Sequence, residues 1–475
     1  MIQRLRKLIG LMRQVSLEQL VRNPRMEVGR IVGWFARRLG RAADIAAHGT
    51  PAMPQWLADE MVSLAHIEPE LLSVHGDVRQ YVHYGVPVLP RAGELYQALL
   101  DEIGSFDFTH VMTLPWLVPG GADRGALYHL ELWSQTVSPE RVLVLTTENA
   151  ASPWAERLPE GIKLVEFGRI VGEMSFETQV TVMTRLLVQL QPQVVHNINS
   201  RVMWEATKVS GLAISQHTKL FASLFCDDYD LNLVPVGYAR SYLRQSYPYL
   251  EKVFSDNTVY PRKWVRELGI PESVFQVLPF PYDRPIHTNQ APHPGHERYR
   301  VLWAGRFDRQ KRPDVLAGVA AAMPEVEFDV HGAAIISGGD PAMEQLTRMQ
   351  NVHVHGRFKR LEDIVVDDHL AYLHTAAWEG VPTILFDAAA AGLPIVAPDV
   401  GGIRDFVPAE RLVPVTDDVN GYVLRLRALH ASRQLWQETR DEQYRSLREE
   451  RSWERFATLA RNVSWLTQPP APDQP

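Results

Sequence analysis

The feature that most limits what this chain can become is an alternation of apolar runs and helical stretches that stops once and then starts again. From about residue 105, FTHVMTLPWL, RVLVLTTE, IKLVEF, QVVHNIN, LFASLFC and KVFSDN have the length and β-branched content of strands. RGALYHLELWSQ, SFETQVTVMTRLLVQLQ, RVMWEATKVSGLA and VYPRKWVRELG lie between them with helical spacing. Strand–helix alternation predicts a parallel sheet covered on both faces. Residues 279–300, PFPYDRPIHTNQAPHPGHERYR, carry five prolines and few aliphatics and predict a linker. Beyond it YRVLWAGRF, VEFDVHG, VHVHGRF, AYLHTA and PIVAPD restart the pattern. The expectation is two α/β units joined by a hinge-like segment, with ligands bound beyond the carboxyl ends of the strands.

Composition narrows the class of protein. A chain of 475 residues exceeds one ordinary core. The net charge of -7 gives no reason to expect nucleic acid, and one cysteine, Cys226, excludes an internal disulfide and fits a reducing compartment. No window reaches the roughly 20 apolar residues of a membrane span, and the opening MIQRLRKLIGLMRQ is too broken by charge for a secretory signal, so a cytoplasmic location is expected. Residues 1–41 hold ten Lys/Arg against Glu18 and Glu27, with apolar residues near helical spacing. Three readings stay open for this segment: a helix on an anionic membrane, which adds a peripheral location on the inner face; a helical extension packed on the body; or a dimerisation element.

Two stretches carry candidate chemistry. In VLWAGRFDRQKRPDVL a strand ends at Gly305, and Arg306 and Lys311 follow before a helix starts near Pro313. Two cations at a strand end suit a diphosphate, above all one whose charge grows as it departs. A solvated basic loop is the bland alternative, since Arg309 and Arg312 are there too. In EGVPTILFDAAAAGLPIVAPDVGG, Glu379 precedes a predicted helix with Gly380 between, and Pro382 fits its first turn. The amides of Val381 and Thr383 are expected to face an anion, Glu379 to take sugar hydroxyls, and Asp387, a turn and a half inside, to hold a vicinal diol such as ribose. The alternative is an Ala-rich crossover helix with incidental acids.

Together the two stretches resemble the C-terminal domain of glycosyltransferase family 4, whose pattern is Arg-x4-Lys followed by Glu-x7-Glu, a small-residue helix and a Gly-Gly turn. Arg306, Lys311, Glu379 and Gly401–Gly402 are in register, while Asp387 replaces the usual second Glu. LPWLVPGGADRGALYHL resembles the family's first strand and Gly-Gly loop, with Gly120 and Gly121 beside the donor phosphates. A second departure is FASLFCDDYD, where Cys226 and Asp227 stand in place of a family histidine; Asp227 and His196 are the expected acceptor-side residues. Asp228-Tyr229-Asp230 spells the metal motif of a different glycosyltransferase fold and is discounted.

The resemblance implies a GT-B fold: two Rossmann-like α/β domains facing across a cleft, plus a basic helical N-terminal extension. The expected boundaries are 1–75 for the extension, 76–282 for the acceptor domain and 283–450 for the nucleotide-sugar domain. A helix over 451–467 is expected to return toward the first domain, followed by a disordered tail over 468–475. It implies retaining transfer of a sugar from a nucleotide-diphosphate sugar to a glycan or lipid-linked acceptor, in surface polysaccharide or glycoconjugate assembly, with no cofactor and no obligatory metal. Arg306, Lys311 and Glu379 are the implied catalytic residues, and Arg357 and Phe358 are placed near the base. The rival expectations are an inactive GT-B-like scaffold subunit and a GT-B epimerase or phosphorylase.

Overall fold

The computed structural model describes residues 55–67, 90–284, 286, 293, 299–332, 341–366 and 368–463. The basic segment 1–41 and the tail 468–475 lie outside the described residues. The chain divides into two compact units, residues 1–94 and 95–475. In the first, helix α1 (Gln55–Leu64) is described. Helix α2 (Pro90–Ile103) runs from the first into the second, where Leu95, Leu99 and Ile103 recur at helical spacing and are buried.

The two large sheets belong to the second unit, as does a short antiparallel pair, Asp228–Tyr229 with Pro235–Val236. The first contains β1 (His110–Leu114), β2 (Val142–Thr146), β3 (Lys163–Val165), β4 (Val194–Ile198), β5 (Lys219–Ser223), β6 (Leu250–Ser255) and β7 (Phe275–Val277). Its order is β3-β2-β1-β4-β5-β6-β7, all parallel. The strands β1, β2 and β4 are buried along their whole length, which explains the unbroken apolar runs where a one-faced sheet would show alternation. Helices α3 (Gly121–Thr136), α4 (Phe176–Leu190), α5 (Arg201–Ser215) and α6 (Val259–Leu268) make the crossovers. Their starts are set locally: Ser175 Oγ accepts from Thr178 N–H, and Ser200 Oγ from Met203 N–H.

The second sheet repeats the plan. It is built of β8 (Arg300–Ala304), β9 (Glu327–His331), β10 (Val352–Gly356), β11 (His369–Leu373) and β12 (Ile395–Val396), in parallel order β10-β9-β8-β11-β12. Helices α7 (Pro313–Ala322), α8 (Pro341–Arg348), α9 (Thr383–Ala390), α10 (Val419–Ala431) and α11 (Arg433–Glu449) accompany it. Each sheet reverses direction of growth once, between β1 and β4 and between β8 and β11. Those switch points put a crevice at the carboxyl ends of the strands.

One hydrophobic cluster joins the two sheets. It contains Met112 and Phe254 of the first sheet with Tyr128 of α3, and Leu302 of the second sheet with Leu385 and Phe386 of α9. The last described helix, α12 (Trp453–Arg461), adds Phe456, whose ring lies 5.4 Å from His129 and 6.3 Å from Tyr128. Arg451, just before it, is 2% exposed and stacks on Phe386 at 5.1 Å. This shared core accounts for the two sheets forming one unit even though a proline-rich connection separates them in sequence.

Candidate active site

The strand β8 ends at Ala304 and hands the chain to the loop 305–312. Gly305 N–H donates to His331 O at 3.0 Å, which ties the loop to the neighbouring strand end. The strand β11 ends at Leu373 and opens a second loop, 374–382. Gln310 stitches the two loops together: Ala377 N–H donates to its carbonyl at 2.8 Å, and its side-chain amide donates to Trp378 O at 2.9 Å. Thr375 Oγ1 donates to Lys311 O at 2.7 Å and accepts from Trp303 Nε1 at 3.0 Å.

This stitching brings Lys311 onto Glu379, with the Lys311 ammonium paired to Glu379 Oε1. His374 Nε2 lies 3.6 Å from the same oxygen. Glu379 is 8% exposed. Burial alone would raise its pKa, but the Lys311 charge, followed by His374, outweighs burial and holds the carboxyl at about 2. His374 itself is buried, and desolvation lowers its pKa. Arg306 is half-exposed; its guanidinium donates to Gln310 Oε1 at 2.5 Å and meets Asp308 at 3.2 Å. The two sequence-predicted cations therefore belong to one loop network, with Lys311 on Glu379 and Arg306 facing solvent.

The Gly-Gly turn closes behind Glu379. Gly401 has φ +52, and a β-carbon there would sit 1.8 Å from Glu379 O. Only glycine fits that approach. Gly380 is also closely packed, though less so: its β-carbon would lie 2.9 Å from Asp256 Oδ2.

Several expectations need correction. Pro382 is the N-cap of α9, and the helix begins at Thr383. The amide of Val381 is not turned to an open anion site, because it donates to Asp256 Oδ2 at 2.8 Å. Asp256, 3% exposed, is raised by burial to about 6. Asp387 borders a cavity, but its carboxylate is already engaged: Arg124 bonds both of its oxygens, at 3.3 and 3.1 Å. Burial raises the Asp387 pKa, with Arg124 opposing.

The two expected acceptor-side residues, His196 and Asp227, are both buried. His196 is 0% exposed; Nε2 meets Ser223 Oγ at 2.8 Å, and the ring is boxed by His129 at 4.6 Å and Phe254 at 5.4 Å. Desolvation first, then His129, drives its pKa well down. It is a core residue. Asp227, also 0% exposed, accepts from Arg240 Nε and Nη2 and from Trp264 Nε1, with Lys263 at 3.1 Å. Both of its oxygens are taken up by those donors. The neighbouring Asp230 closes a turn, Oδ1 accepting from Asn232 and Val234 N–H at 2.8 and 2.9 Å.

Gly120 caps α3, and Gly121 opens it. A β-carbon on Gly121 would sit 3.6 Å from Thr383 Oγ1, so the first domain's glycine loop lies against the start of α9. Arg357 is exposed, whereas Phe358 is half-buried and edge-on to His331 at 6.0 Å. His331 stacks on His355 at 4.6 Å; burial and then His355 lower its pKa to about 4. Sequence reasoning missed Arg124, Asp256, Gln310 and His374. Arg124 had a local signal in its place one turn after Gly120; the others announce themselves only through their partners.

Two parallel sheets of this order, with their switch-point crevices brought together over a shared core, make the GT-B fold. Structural neighbours agree. The lipopolysaccharide outer core galactosyltransferase WaaB, in its apo form, aligns at a TM-score of 0.57 and 15% identity, over 74% of this chain and 98% of its own. Anabaena Alr3699/HepE in complex with UDP aligns at 0.57 and 15%, over 75% and 100%. Residues 298–432 match the family model described as Glycosyl transferases group 1. The O-antigen biosynthesis glycosyltransferase WbnH of Escherichia coli is 29% identical over 131 residues, 27% of this chain. That match spans 37% of the curated relative's length. Among the described residues no helix is long and apolar enough to cross a membrane.

Proposed function

We propose that this protein is a retaining glycosyltransferase that moves a sugar from a nucleotide-diphosphate sugar to an acceptor hydroxyl, in the assembly of an O-antigen-like surface glycan. The observation that carries the reading is the Lys311–Glu379 pair at adjoining strand ends, one residue apiece from the two stretches that the sequence singled out. The group 1 match over 298–432 contains both residues. HepE, by its description, binds UDP and UDP-glucose.

In this reading Lys311 and Arg306 neutralise the departing diphosphate, work that a divalent ion does in other enzymes. Glu379, kept ionised by Lys311, accepts hydrogen bonds from the donor sugar. Phe358 and the stacked His331 and His355 offer the base an aromatic wall. A lipid-linked or glycan acceptor approaches from the first domain, and residues 1–41 supply a basic contact to an anionic membrane.

Thermal shift of the full chain with UDP, GDP, ADP and dTDP, followed by turnover of the matching sugar nucleotides, tests the reading. One diphosphate should raise the melting temperature, and its sugar nucleotide should be consumed in the presence of EDTA. Absence of any shift and any turnover defeats it. A second reading, a GT-B scaffold without catalysis, draws on Asp387 being occupied by Arg124. Nucleotide binding without turnover, equal in the parent and in Arg306→Ala, would favour that reading.

A further inference from the structure

The residue expected to hold a ribose is engaged in a cage of arginines. Arg124 Nη1 and Nη2 reach Asp387 Oδ1 and Oδ2, and Arg284 Nη1 reaches Oδ1 at 3.5 Å. Arg124 comes from the first turn of α3, in the first domain. Arg284 comes from the connecting segment, where it also faces Glu362 at 3.5 Å. Arg124 and Asp387 are each 8% exposed. A pair this dry opens only when new partners arrive for both halves, since each charge left alone in the interior is strongly disfavoured. A vicinal diol is a suitable partner for the carboxylate. The guanidinium needs an anion.

The surroundings supply room for the first and a place for the second. A cavity of about 370 Å³ opens beside Asp387, bounded by Tyr282, Arg284, Arg360, Glu362 and Ala390. That volume is in the usual range of small-molecule sites, about 300–1,000 Å³. Asp387 sits four residues into α9 from Thr383, about 6 Å along the helix axis. Gly121 lies against Thr383, and Arg124 is on the same turn of α3. A released Arg124 guanidinium therefore has the amino end of α9 within the reach of its own side chain.

We infer that Arg124 is a positioning residue that exchanges partners: it binds Asp387 and so joins the two domains before the donor arrives, cedes Asp387 to the ribose diol, and transfers its guanidinium to the diphosphate. The inference rests on the nucleotide-sugar reading above. It goes beyond that reading in giving the donor a third cation, contributed by the opposite domain and delivered only when a ribose displaces it.

The exchange is tested with Arg124→Gln in the full chain, by calorimetry with whichever of UDP, GDP, ADP and dTDP binds, and with the matching nucleoside. The two ligands should move in opposite directions. The nucleoside tightens by about threefold, because Asp387 has lost a competitor, and the diphosphate weakens by about tenfold, because it has lost a cation. A clamp with a structural role alone shifts both affinities the same way, and that result overturns the exchange. Arg124→Lys keeps the charge without the two-pronged bond; it should weaken the diphosphate less than glutamine does, and an equal loss also overturns the idea. If the glutamine variant fails to fold, the lysine variant is compared with the parent by the same ratio of nucleoside to diphosphate affinity. Binding of none of the four diphosphates to the parent overturns the donor reading and the exchange together, whereas binding with an unmoved ratio overturns the exchange alone.

Discussion

Replacing Lys311 with methionine removes the charge that keeps Glu379 ionised inside the protein. Glu379 is 8% exposed, and its carboxyl is held at about 2 against an ordinary 4.5. At about 1.4 kcal/mol per tenfold change in proton affinity, that difference corresponds to about 3 kcal/mol of stability. Mutational experience with buried ion pairs gives about 3–5 kcal/mol for removing one partner. The sign follows from the depressed value. The contribution is fully present above pH 4.5 and is lost as pH falls toward 2. Urea unfolding of Lys311→Met at pH 7 should therefore show a loss of about 3 kcal/mol. Glu379→Gln should lose less, because the Lys311 side chain is 15% exposed and turns to water more easily. The double variant Lys311→Met, Glu379→Gln should recover most of the loss, since a neutral pair of similar volume leaves no buried charge. Sugar transfer should be absent in all three. The reasoning is refuted if Lys311→Met costs less than about 1 kcal/mol, the range of a solvated surface pair, or if the double variant loses the sum of the singles.

Three other outcomes are expected. Arg306→Ala should leave stability within about 0.5 kcal/mol, because the side chain is half-exposed, yet lower turnover by about 10²–10³, the usual effect of losing one group that stabilises transition-state charge; steady-state kinetics beside urea unfolding checks both. Gly401→Ala puts a β-carbon 1.8 Å from Glu379 O at φ +52, so it should cost about 2 kcal/mol or more and weaken nucleotide binding as Glu379 shifts. Asp256, raised by burial to about 6 from 3.8, binds its proton more tightly when folded, so it withdraws stability as pH rises between those values. Melting curves across pH 4–7 should show Asp256→Asn gaining on the parent through that window, its amide oxygen still accepting from Val381 N–H; parallel curves would contradict the assignment.

What the sequence by itself determined is what short-range chemistry encodes. Apolar runs such as VLVLT could only be strands covered on both faces, and serines before α4 and α5 set where those helices start. Arg306, Lys311 and Glu379 stood out because charges at strand ends have no packing role to explain them. Gly401 stood out through the register of its Gly-Gly turn with the family pattern, and the structure supplies the reason, a close approach of backbone to backbone. The tertiary structure decided who holds whom. His196 is the middle residue of β4 and Asp227 follows the end of β5 by four positions, and both side chains turn into the interior, one against aromatic rings and the other into a cage of donors. The Val381 amide meets a carboxylate 125 positions away, and Asp387 meets a guanidinium 263 positions away. Periodicity reports which face of an element is buried. It carries no information on the identity of a distant partner, because that depends on how two independently formed sheets come to rest over a common core.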